Sequence, residues 1–145
     1  MIQWSEEYAT GIEDIDKQHQ ALFKFFGVLE EKINKGDVTI VENSVGFMKT
    51  YLSEHFQFEE MCMFGVNCPE AERNMEAHKQ FVVKLNEFDE KVKGSDDPLS
   101  VLKEMNQYVE FWLVNHIRKV DTELKKCWRA NSMVKDNLEG DLVAS

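Results

Sequence analysis

The sequence predicts an all-α fold: an antiparallel up-and-down four-helix bundle with a short N-terminal arm. Apolar residues recur at steps of four and three along four long segments, breakers are few and clustered, and strand-type alternation is absent. The 145 residues hold only seven Gly and two Pro, with 43% hydrophobic and 30% charged residues. That balance suits long helices and excludes disordered, collagen-like and disulfide-framework classes. The length is that of one ordinary domain with a single core.

The arm, Met1 to Ala9, has no basic residue and no apolar run, so it reads as neither a leader nor an anchor. The first helix carries a seam of Ile15, His19, Leu22, Phe26, Leu29 and Ile33 and stops at Lys35-Gly36-Asp37. The second carries Val41, Val45, Met48, Leu52, His55, Glu59 and Cys62 and ends in the stretch from Gly65 to Pro69. Pro69, Glu70 and Glu72 mark the start of the third, whose seam reads Ala71, Met75, His78, Val82 and Leu85. Gly94 to Pro98 closes it, and Asp97-Pro98 suits an N-cap followed by proline at the first helical position. The fourth seam is Leu102, Met105, Val109, Trp112, His116, Val120 and Leu124. Residues 1–128 thus form the domain. Residues 129–145 read as a polar tail or linker in which Met133, Leu138 and Leu142 give a weak apolar pattern.

Lys and Arg number 17 against 27 Asp and Glu, a formal net charge of −10. Such a field repels phosphate and anionic lipid, so no nucleic acid and no membrane contact is expected of this domain. Every apolar stretch is interrupted by charge well before the ~18 residues of a membrane span, and a cytoplasmic location is expected. Three cysteines, Cys62, Cys68 and Cys127, are an odd number in a domain that needs no staples. They read as inert thiols in a reducing compartment, with a Cys62–Cys68 bond as the alternative.

The informative feature is what interrupts the seams. All four histidines lie at inward positions, one per helix, and the second helix also turns Glu59 inward. A lone seam histidine is ordinary, but four imidazoles and a carboxylate buried without partners would each cost kilocalories. A shared cation satisfies them together. His55 and Glu59 stand at i, i+4 on one face, and the alternation of early and late positions in antiparallel helices brings His19, His78 and His116 to the same height. Asp121 follows His116 by five residues, a rotation of about 140° on a regular helix. It joins the cluster if the helix is locally irregular between the two or if the site is as wide as a two-metal centre. Otherwise it is a solvated aspartate between Lys119 and Lys125.

At these residues the chain resembles the bacterial hemerythrins, four-helix bundles that hold a non-heme di-iron centre and bind oxygen. The likeness rests on Ile15-Asp16-Lys17-Gln18-His19, His55-x-x-x-Glu59, His78 and His116-x-x-x-x-Asp121, and runs from about Trp4 to Trp128. The resemblance implies two non-heme iron ions bridged by Glu59, Asp121 and an oxo or hydroxo group, with His19 and His55 on one iron and His78 and His116 on the other. It also implies an apolar oxygen pocket at Leu22, Phe56, Trp112, Leu113 and Ile117. One departure stands out: the family carries a further histidine four residues before His78, where this chain has Asn74. Asn74 is then a weak amide ligand, or the partner of a water in the opened position, or it leaves that position to a neighbouring acid.

No P-loop, H-E-x-x-H, nucleophile elbow or C-x-x-C is present, so the domain is not expected to be an enzyme. The resemblance leaves two roles. One is an oxygen- and redox-sensing input module of a signalling protein, joined to an output such as a diguanylate cyclase or chemotaxis receptor. The other is an oxygen carrier or store. Losing an imidazole at Asn74 favours the sensor, because an opened coordination shell shortens the life of an oxygen carrier.

Overall fold

The computed structural model describes residues 2–130, without the side chains of residues 121 and 122. Four helices follow an N-terminal arm: α1, Glu13–Asn34; α2, Ser44–Gly65; α3, Ala71–Gly94; and α4, Pro98–Ala130. No strand occurs among the described residues. Packing runs α1 on α2, α2 on α3, α3 on α4, and α4 back on α1, which closes the four into the up-and-down ring the sequence predicts.

Local chemistry fixes the helix ends. Glu13, Asp14 and Asp16 place negative charge in the first turn of α1 and Lys32 sits in its last, each opposite the helix dipole. Gly36 then takes φ of 71°, and Asp37 N–H donates to the Lys32 carbonyl at 3.0 Å, which ends the helix in a left-handed cap. At the end of α2 the left-handed position falls to Asn67, φ 53°, while Gly65 remains helical. Asp97 caps α4 through Ser100 N–H, 3.4 Å from its Oδ1, ahead of Pro98.

The arm is tied down by one side chain. Asp16 Oδ1 accepts from Thr10 N–H at 2.7 Å and Thr10 Oγ1 at 2.9 Å, and its Oδ2 accepts from Gly11 N–H at 3.2 Å. Tyr8 is thereby held edge-on against Phe23.

The seams of α1 and α2 face inward as predicted from Val45 onward, whereas Val41 precedes α2 and is only partly buried. On α3 the buried line is Ala71, Asn74, His78, Phe81, Leu85, Phe88 and Val92, so Met75 and Val82 flank the core instead of filling it. The aromatic Phe81, fully enclosed, outcompetes Val82 for the interior because it removes more apolar area from water. Two apolar clusters result. The larger gathers around Phe26, Leu52, Phe81 and Val109, and the smaller around Ile15, Cys62, Met63 and Leu124.

Two expectations fail. Helix α4 is α-helical through 116–121, so the irregularity expected there is absent, and only a site as wide as a two-metal centre would bring Asp121 into the cluster. Cys68 and Cys127 form a disulfide across 59 positions of sequence, so they are not inert thiols, and the argument from them to a reducing compartment falls. The bond joins the turn between α2 and α3 to the last turn of α4, a neighbourhood made by tertiary packing that local spacing cannot reveal. Only Cys62 is a free, buried thiol. Helix α4 also continues two residues past the boundary at 128; the expected tail beyond it, with Met133, Leu138 and Leu142, lies outside the described residues. No described helix is long and apolar enough to cross a membrane.

Candidate metal centre

The seam interruptions converge at one level, between the two apolar clusters. His19 and Glu59 are fully enclosed, His55 and His78 are 3% exposed, and His116 is slightly more open. Glu59 lies at the middle. Its Oε2 is 3.5 Å from His19 Nε2 and 3.4 Å from His55 Nε2, and its Oε1 is 3.2 Å from His78 Nε2 and 3.6 Å from His116 Nε2. Each carboxylate oxygen thus faces its own pair of imidazoles. Within the pairs the Nε2 atoms approach to 3.1 Å for His19 and His55 and to 2.9 Å for His78 and His116.

Hydrogen bonding defines what these atoms offer. His55 Nδ1 lies 2.6 Å from Gln18 Oε1; the amide oxygen only accepts, so Nδ1 donates and Nε2 of the neutral ring presents a lone pair to the centre. Glu59 Oε2 has no hydrogen-bond partner. Burial drives the pKa of His55 and His116 down and outweighs the pull of Glu59 upward, so both imidazoles stay neutral. For Glu59, burial opposes ionisation, but the four imidazoles grouped around it, His116, His19, His55 and His78, prevail and hold the carboxyl well below the usual range. Lone pairs on nitrogen and oxygen converge in a closed space, which fits a cation. His19, His55 and Glu59 form one group able to hold a metal ion, and Glu59, His78 and His116 form a second that shares the carboxylate.

Asn74 sits beside this centre, buried. Its Nδ2 donates to Glu59 Oε1 at 2.9 Å and approaches Met63 Sδ at 3.1 Å, while its Oδ1 has no partner. The amide therefore contacts the carboxylate directly. The side chain of Asp121 lies outside the described residues, so its place relative to the cluster is not part of this geometry.

The sequence of the family described as "Hemerythrin HHE cation binding domain" matches residues 10–128. The chain belongs to the hemerythrin family. Among similar hemerythrins, bacteriohemerythrin of Pseudomonas paraeruginosa is 25% identical over 139 residues, covering 94% of this chain and 89% of the relative. Bacteriohemerythrin of Clostridium acetobutylicum is 26% identical over 128 residues, 85% of this chain and 98% of the relative. Myohemerythrin of Riftia pachyptila is 27% identical over 122 residues, 84% and 89% respectively. The hemerythrin family is one of non-heme iron, oxygen-binding domains.

The five residues expected to form the oxygen pocket of a hemerythrin all belong to or pack on the larger apolar cluster. Phe56 stacks on His78 with ring centroids 3.9 Å apart, and Trp112 stacks on His116 at 4.4 Å. Leu22, Leu113 and Ile117 are buried. Sequence reasoning missed Gln18, the partner of His55, and Glu60, whose Oε1 lies 3.7 Å from His78 Nδ1. Their one signal is adjacency: Gln18 precedes His19 and Glu60 follows Glu59.

Proposed function

We propose that the chain is a di-iron, oxygen-binding domain that works as an oxygen- and redox-sensing input module of a signalling protein. His19 and His55 would hold one iron and His78 and His116 the other, with Glu59 and Asp121 as the carboxylates shared between them. The observation that carries the di-iron reading is Glu59, with one oxygen toward each imidazole pair. When bound, the iron pair supplies the electrons on which reversible oxygen binding draws.

The chain's own residues do the rest. Phe56 and Trp112 cover two imidazoles with apolar faces, and Leu22, Leu113 and Ile117 continue that wall, which keeps out water and proton donors. Burial keeps His55 and His116 neutral, which leaves their nitrogens free to ligate. Asn74 supplies an amide proton to Glu59 where the family has a ligating imidazole, so the His78 side would leave a position open to water or another small ligand and its reduced state would be less protected. That suits a site whose oxidation is the message: two oxidation states differ in charge and shift the balance between helix arrangements. An output domain joined beyond residue 130, such as a diguanylate cyclase, would read that shift.

Iron analysis of protein grown with added iron, with absorption spectra before and after air, should give two irons per chain; one per chain sinks the two-metal reading. Stopped-flow oxidation of the reduced wild type and of Asn74→His then separates the roles. Fast oxidation in wild type, slowed at least tenfold in Asn74→His, supports sensing. Wild-type protein that takes up oxygen and releases it under argon over hours would make the domain a carrier or store.

A further inference from the structure

Glu59 and Glu60 are consecutive on α2, so their side chains leave the helix about 100° apart. Glu59 turns to the centre of the bundle and Glu60 toward α3, and the ring of His78 lies between them. Its Nε2 is 3.2 Å from Glu59 Oε1 and its Nδ1 is 3.7 Å from Glu60 Oε1. That second distance is about half an ångström beyond a hydrogen bond. His78 Nδ1 is buried and has no hydrogen-bond partner, whereas the Glu60 side chain is 18% exposed and lines a groove of about 390 Å³ between α2 and α3 with room to move.

An imidazole that ligates through Nε2 carries its proton on Nδ1, and a ligating histidine whose Nδ1–H finds an acceptor is oriented and made more basic. His55 already has such an acceptor in Gln18, at 2.6 Å. We propose that Glu60 is the positioning residue for His78: its carboxylate accepts from Nδ1–H, locks the ring with Nε2 toward the centre and strengthens the donor on the side where Asn74 replaces an imidazole. The two halves of the site are then tuned unequally, by a neutral amide at His55 and by a carboxylate at His78. The negative acceptor offsets part of the electron donation that Asn74 does not supply. This rests on the metal-centre reading above.

The test loads wild type, Glu60→Ala, Glu60→Gln and the exposed control Glu87→Ala with Fe(II) under anaerobic conditions. Iron per chain is counted during chelator titration, helix content is followed by circular dichroism, and the midpoint potential of the centre is measured. Wild type and Glu87→Ala should retain two irons alike. Glu60→Ala should lose one of them at about 10- to 100-fold lower chelator concentration, with the other unchanged. Glu60→Gln keeps an acceptor oxygen, as Gln18 does, so it should recover iron retention and yet raise the potential, because a neutral acceptor draws less on the Nδ1 proton. The inference is overturned if Glu60→Ala keeps both irons as wild type does, or if Glu60→Gln leaves the potential unchanged. Should Glu60→Ala lose its helix content, the potential of Glu60→Gln decides. Wild-type protein that fails to hold two irons overturns the metal-centre reading itself; two irons in wild type with unaffected variants overturns the role of Glu60 alone.

Discussion

Gln18 settles which nitrogen of His55 faces the centre, and it does so through a single amide oxygen. Replacing it by leucine strands a largely buried N–H donor, so Gln18→Leu should lower the unfolding free energy by about 1–3 kcal/mol in a urea titration. Glu59→Ala acts differently. It removes the carboxylate shared by both imidazole pairs and should abolish retention of the second metal equivalent, while circular dichroism shows helix content largely intact. The histidines and Glu59 were legible in the sequence because a polar residue in an apolar seam is conspicuous. Gln18 and Glu60 were not, because a polar residue beside a seam looks like ordinary surface. The role of Asn74 was half legible: its register placed it at the centre, but only the fold shows that its amide donates to Glu59.

At the level of elements, four helices and their stops followed from period and punctuation, and the ends of α1 and α4 obey the capping rules that predicted them. The face of α3 did not follow. Met75 and Val82 form an apolar line beside the one that Asn74 and Phe81 follow, so the stripe was wide enough for two registers, and packing of Phe81 against Phe56 and Trp112 selects one. The cysteine pairing was illegible for a related reason, since it depends on where α4 ends beside the α2–α3 turn. It has a direct readout. Native protein should show no thiol reactive to Ellman's reagent: Cys68 and Cys127 are bonded, and burial pushes the Cys62 thiol up to about 11, leaving little thiolate at pH 8. Denatured protein should show one thiol, and denatured reduced protein three. Reduction should also lower unfolding stability by about 2–4 kcal/mol.

For the whole molecule, stability should come from the larger cluster and chemistry from the level between the clusters. Phe81, 1% exposed, should cost about 3–5 kcal/mol as Phe81→Ala, whereas Phe111, 74% exposed, should change stability by less than about 0.5 kcal/mol. Thermal unfolding of the metal-free protein checks both. The Cys68–Cys127 bond has a further consequence when the chain is viewed as a polymer. His78 and His116 are 38 residues apart and both lie inside the loop that the disulfide closes. Measured through the bond, the path between them shrinks to roughly 22 residues, which lowers the closure entropy of that imidazole pair by about 0.5 kcal/mol. His19 and His55, 36 residues apart, lie outside the loop and gain nothing. The covalent tether therefore favours assembly of one half of the centre over the other, by about twofold, and it does so on the half that Asn74 adjoins.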